Sequence, residues 1–98
     1  MARLGYASGA LDDLVRLAQF LSREDAAAAL ATIDLIRDAL ASLERHPLIG
    51  RKVEGGPGRE LVISRGRSGY LGLYAYDPET DEVLVLAIRH QREAGYEE

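Results

Sequence analysis

The apolar residues of this chain change their period once, across the Gly- and Pro-rich stretch PLIGRKVEGGPGR at residues 47–59. On the N-terminal side they recur every three or four positions, the spacing of a helix with one apolar stripe. On the C-terminal side they alternate or run in short blocks rich in Val, Leu, Ile and Tyr, bounded by turn residues, as strands do. Helices gathered before the boundary and strands after it imply an α+β fold, with the helices on one face of an antiparallel sheet.

A short extended segment over about residues 2–7 is expected to give way at Ser8, a natural N-cap, to a helix over 9–22. Leu11, Leu14, Val15, Ala18 and Leu21 make its stripe, widened by Leu17 and Phe20. After the polar turn at Ser22–Asp25 a second helix is expected over 26–45, with Ala29, Leu30, Ile33, Ile36, Leu40 and Leu43 as its stripe. The alanine-rich start favours helix, a short turn makes the two antiparallel, and His46 before Pro47 ends the second. Beyond the loop, strands are expected over 59–65, 69–76 and 82–90, joined by RGRSG and DPETD as a meander.

Strand alternation puts Tyr70, Tyr74 and Tyr76 on one face and Leu71, Leu73 and Ala75 on the other. Packing the leucines on the helices turns the tyrosines outward, together with Val83, Val85 and Arg89 of the last strand. An outward face of Tyr, Val and Arg suits a protein partner. The same tyrosines also suit strands that are merely half exposed.

A chain of 98 residues fits one domain over 1–98, with enough buried surface for a core without staples. Cysteine is absent, so disulfides, thiolate zinc sites and cysteine nucleophiles are excluded, and a cytoplasmic setting is expected. No apolar run reaches the roughly 20 residues of a membrane helix, and the N-terminus lacks a signal-peptide core, so no membrane partner is expected. The net charge of −4 opposes coating of nucleic acid, although Arg45, Arg51, Lys52, Arg59, Arg65 and Arg67 outnumber Glu54 and Glu60 locally. His46 reads as a helix C-terminal cation, and with His90 so distant no metal or other cofactor is expected. The glycine loop lacks the lysine and hydroxyl residue of a nucleotide-phosphate loop.

The most apolar block ends in cations: LVLAIRHQREAGY places Arg89, His90 and Arg92 directly after Leu84–Ile88. These are either solvated strand-end charges or groups held out for an anionic partner. HPLIGR after the second helix, GRELVISRGRSGYLGLYAYD through the middle strands and VLVLAIRHQRE at the end, in this order, resemble the ParE branch of the RelE/ParE superfamily of bacterial toxins. The resemblance spans nearly the whole chain. It implies the toxin of a type II toxin–antitoxin module of the plasmid-stabilising kind, neutralised by a cognate antitoxin whose C-terminal part wraps helices and sheet. Tyr70, Tyr74, Tyr76, Val83 and Val85 are the antitoxin-binding residues expected on that reading.

The superfamily divides by mechanism. ParE-like members are understood to inhibit DNA gyrase by binding it, whereas RelE-like members cut mRNA on the ribosome. In this chain Arg89, Arg92 and Tyr96 are the residues expected to bind the target. For a ribosome-dependent RNase the matching residues are Arg65, Arg89 and Tyr96. The strand lysines of that branch are missing, however, since Lys52 is the only lysine and lies in a loop. Arginine holds phosphate well but is a poor general base, and alternation turns His90 away from Arg89. A gyrase inhibitor without chemistry of its own is therefore the expected function; the alternatives are the RNase and a degenerate toxin that only binds antitoxin.

Overall fold

The computed structural model describes residues 1–65 and 68–91. In chain order these form β1 (Arg3–Tyr6), α1 (Ser8–Ser22), α2 (Ala26–Ala41), a 3-10 turn (Ser42–Glu44), β2 (Arg51–Lys52), β3 (Arg59–Arg65), β4 (Ser68–Asp77) and β5 (Glu82–His90). The expected helix pair, N-terminal strand and antiparallel meander are all present. The sheet has a fifth strand, because Arg51 and Lys52 pair with Glu60 and Arg59 inside what reads as loop.

The helix boundaries follow local hydrogen bonding. Ser8 is the first residue of α1 rather than its cap; Ala7 holds the cap position with no side-chain bond. Asp25 does cap α2, its carboxylate accepting from the Ala28 N–H at 3.1 Å. That helix stops at Ala41 instead of running to 45. A 3-10 turn finishes it, with the Ser42 hydroxyl donating to the Ala39 carbonyl.

Sheet order is β1-β5-β4-β3-β2, with β1 parallel to β5 and the other pairs antiparallel. The faces are the reverse of the simple alternation reading. Tyr70 and Tyr74 are buried against the helices, Tyr76 packs at the edge of the same cluster, and Val83 and Val85 are buried beside them. Two features cause the reversal. Gly72 lies between the tyrosines, and a Cβ there would sit 2.8 Å from Leu40 Cδ2, so α2 approaches the tyrosine side of β4. On β5 the register passes from Ala87 opposite Leu73 to Val85 opposite Tyr74, which leaves Leu86 as an extra residue. This bulge switches side-chain parity, so Val83, Val85 and Ile88 all enter one core. That core joins them to Ala10, Leu17, Ile36, Leu40, Leu43 and Ile63. Leu84 is left half exposed on the far face, together with Val62 of β3.

Tyr74 also explains the conformation of the loop after the helices. Its phenol donates to the Pro47 carbonyl at 2.8 Å and accepts from the Gly50 N–H at 2.9 Å, while none of its surface is exposed. Arg59, its register partner on β3, donates to the carbonyls of Gly50 at 2.7 Å and Leu48 at 3.2 Å. The loop is therefore pinned by a buried phenol and a guanidinium. Only glycine fits at position 50, where a Cβ would lie 2.7 Å from the Tyr74 ring and from the Glu60 carbonyl oxygen. Among the described residues, no helix is long and apolar enough to cross a membrane.

Candidate functional site

Arg89 continues β5 past the end of β1, where the strand edge would otherwise lie open. Asp13, on the first turns of α1, covers it. One carboxylate oxygen accepts from the Ile88 N–H at 2.9 Å and from the Arg89 guanidinium. Arg16 stands 3.8 Å from the other oxygen. The Asp13 side chain retains 15% of its exposure and Arg89 retains 46%, so the carboxylate is held inside while the guanidinium reaches water. The ion pair itself adds little in that setting, whereas the buried amide depends on its acceptor. Asp13→Ala is expected to lower stability by about 1–3 kcal/mol, and the melting temperature by roughly 5–15 °C, when followed by circular dichroism. Asp13→Asn, which keeps an acceptor oxygen, should lose less than half as much. Equal midpoints for wild type and Asp13→Ala would show that Ile88 needs no such acceptor.

His90, next along, packs edge-on against Tyr70 with ring centroids 5.4 Å apart, on the helix side as alternation implies. The topology brings Arg65, the last residue of β3, to the same end of the sheet as Arg89, with β4 between them. Arg92 and Tyr96 lie outside the described residues, as does Arg67. The basic cluster noted in the sequence is partly consumed by structure: Arg59 binds the loop carbonyls, and Arg51 pairs with Glu60 at 3.2 Å.

The surface proposed from alternation for a protein partner does not exist in that form. Tyr70, Tyr74, Val83 and Val85 are interior residues and Tyr76 is only partly exposed, its hydroxyl donating to Asp81 at 2.8 Å. The apolar surface that does face solvent lies on the helices. The α1 stripe is wider than the sheet can cover: Ala10 and Leu17 are buried, but Leu11 and Val15 remain 50% and 55% exposed. Together with Tyr6, Leu14, Ala18, Ile33 and Arg37 they line an open groove of about 410 Å³ between the helices and β1. Burial pushes the Tyr6 phenol above its ordinary pKa, while the Arg37 guanidinium that hydrogen-bonds it pulls the other way. The signal was present in the sequence as surplus stripe width, since a helix covering a sheet with one face needs fewer apolar positions than α1 carries. Nothing in the pattern singled out Arg37 or Asp13, and Arg59 stood out only as one member of the local basic cluster.

Among the described residues there is no group of three or more His, Cys, Asp or Glu side chains placed to hold a metal ion. What the described surface offers is apolar groove, exposed guanidinium and a pinned loop, which suits recognition of another polypeptide.

Comparison with known proteins agrees with this architecture. The family model for the ParE toxin of type II toxin–antitoxin systems, parDE, matches residues 5–95. Among solved structures, the chromosomal ParDE toxin–antitoxin system from P. aeruginosa superposes with a TM-score of 0.77 at 20% identity, over 91% of this chain and 95% of that one. The intact E. coli RelBE toxin–antitoxin complex gives 0.63 at 19% identity, over 91% and 95%. The RelBE2 complex from Mycobacterium tuberculosis gives 0.59 at 24%, over 91% and 96%. At these identities the structural likeness is one of fold. A search of curated proteins finds no match.

Proposed function

The chain belongs to the ParE toxin family of type II toxin–antitoxin systems, and from that premise we propose that it poisons DNA gyrase by binding, restrained by an antitoxin docked in the helical groove. The antitoxin partner is supported by the solved relatives, which are toxin–antitoxin systems and complexes of the same fold. The groove is supported by its half-exposed Leu11 and Val15, which an amphipathic segment would cover.

The observation that favours binding over RNA cleavage is where the described strand residues that could carry a proton are placed. An RNase of this fold needs a proton acceptor, a proton donor and free cations at one phosphate. Here the Tyr74 phenol is committed to the loop, His90 packs against Tyr70 on the helix side, and the only lysine, Lys52, is on the edge strand β2, while Arg89 can hold an anion but not accept a proton. Arginine is well suited to carboxylates on a protein target. The target-binding surface on this reading runs from Arg89 through Arg92 to Tyr96.

The test is pulse labelling of DNA and protein synthesis within minutes of inducing the chain without antitoxin, followed by supercoiling assays with purified gyrase. Thymidine incorporation is expected to stop first, and the purified chain to inhibit gyrase. A chain ended after Gln91 keeps the Gln91 N–H bond to the Gly69 carbonyl and the His90–Tyr70 contact, so it should fold, bind antitoxin and harm nothing. If methionine incorporation stops first, the chain is an RNase, and Arg65, Arg89 and Tyr96 become its candidate phosphate and proton-transfer groups. A chain that stops neither is a degenerate toxin.

A further inference from the structure

Six of the seven residues that line the helical groove are apolar or aromatic; the seventh is Arg37. It stands on α2 one turn beyond Ile33, where its guanidinium hydrogen-bonds the Tyr6 phenol on β1. No carboxylate among the described residues forms an ion pair with it, although Asp34 and Asp38 are its neighbours in sequence and both are exposed. Four other arginines of the described surface do have carboxylates: Arg3 has Glu82, Arg51 has Glu60, and Arg16 and Arg89 share Asp13.

A cation steadied by a phenol at the wall of an apolar groove has a definite consequence when the groove is covered. The covering segment removes water from the guanidinium, which then needs an acceptor, and an uncharged apolar ridge supplies none. A carboxylate at the matching position supplies two acceptor oxygens in the geometry that guanidinium prefers. We propose that Arg37 is the specificity contact of the groove, selecting an amphipathic helix whose apolar ridge carries one Asp or Glu facing it. The proposal rests on the groove being the antitoxin site. The apolar walls supply most of the affinity and accept many ridges; Arg37 rejects those with a neutral or basic residue at that one position.

The probe is the polypeptide encoded beside this chain's reading frame, titrated calorimetrically into the full-length protein. Arg37 is exposed, so Arg37→Glu and Arg37→Gln should fold as wild type. Arg37→Glu is expected to weaken binding roughly 30-fold or more, in the range of close interfacial charge pairs, and Arg37→Gln by less. The salt dependence of the wild-type affinity should flatten in Arg37→Gln. Reversing the acidic residues of the probe to Lys one at a time should find a single change that restores binding to Arg37→Glu. If Val15→Glu abolishes binding while Arg37→Glu leaves it intact, the groove is the site and Arg37 is not its specificity contact. If Val15→Glu also binds as wild type, the groove is not the antitoxin site and both readings fall.

Discussion

Tyr74→Phe will melt about 10–30 °C below wild type, although it changes a single oxygen in a residue that reads as an ordinary strand tyrosine. The phenol is fully buried and serves two backbone groups at once, the Pro47 carbonyl and the Gly50 N–H. Removing it leaves both without that partner, at a cost of about 1–3 kcal/mol each if water does not reach them. A domain of this size has a total of only about 5–15 kcal/mol to lose. Arg59 still holds the loop from the other side, so Tyr74→Phe should remain folded at room temperature while exchanging the Gly50 amide proton faster. Tyr76→Phe is the control. Its hydroxyl bonds to Asp81 at the exposed end of β4, and the midpoint should stay where it was. Equal melting temperatures for Tyr74→Phe and wild type would mean that the loop is not anchored through the phenol.

Val15→Glu will uncouple toxicity from neutralisation. Val15 is already more than half exposed, so a charged side chain there meets water in the free protein and stability should change by less than about 0.5 kcal/mol. In a complex that covers the groove the same carboxylate would be buried against Leu11 and Ala18. A central apolar anchor replaced by an unpaired charge is expected to cost about 2–4 kcal/mol of binding, or roughly 30- to 1,000-fold. Cells carrying Val15→Glu should therefore die in the presence of antitoxin that rescues wild type. Leu84→Glu, at a half-exposed position on the far face of the sheet, should still be neutralised. The opposite pattern, rescue of Val15→Glu but not of Leu84→Glu, would place the antitoxin on the sheet and refute the groove.

Apart from the two-residue β2, the order and type of the elements were legible because helices and strands imprint different apolar periods, and the change of period after the helices falls where the fold changes layer. Which face of the sheet turns inward was not legible. Alternation is a relative rule: it says that Tyr70, Tyr74 and Tyr76 share a side, and they do, but choosing the side requires knowing what packs there. Leucine is the usual core residue and tyrosine the usual half-exposed one, so preference pointed the wrong way. Gly72 was the available clue, since a glycine between two tyrosines marks a close approach of another element. The Leu86 bulge was invisible, because an extra residue in a run of five apolar positions leaves no break in composition. For the candidate site, the apolar width of α1 was legible, but a stripe does not say which of its residues the sheet will cover. Arg37 and Asp13 draw their significance from contacts made across the fold, to Tyr6 and to Ile88, and no local pattern encodes those.

The pairing of β1 with β5 has a consequence in time. Arg3–Tyr6 leave the ribosome well before their partners, Glu82–Val85, because the helices and the rest of the sheet are encoded between them. Until the ribosome has added β5, β1 has no neighbour in the sheet and the core lacks Val83, Val85 and Ile88. Closure over so long a separation makes folding a late event rather than a progressive one. A half-synthesised chain therefore lacks the shape that any target would recognise. For the toxin of a type II toxin–antitoxin module, that delay gives an antitoxin already made the first encounter with the closed domain.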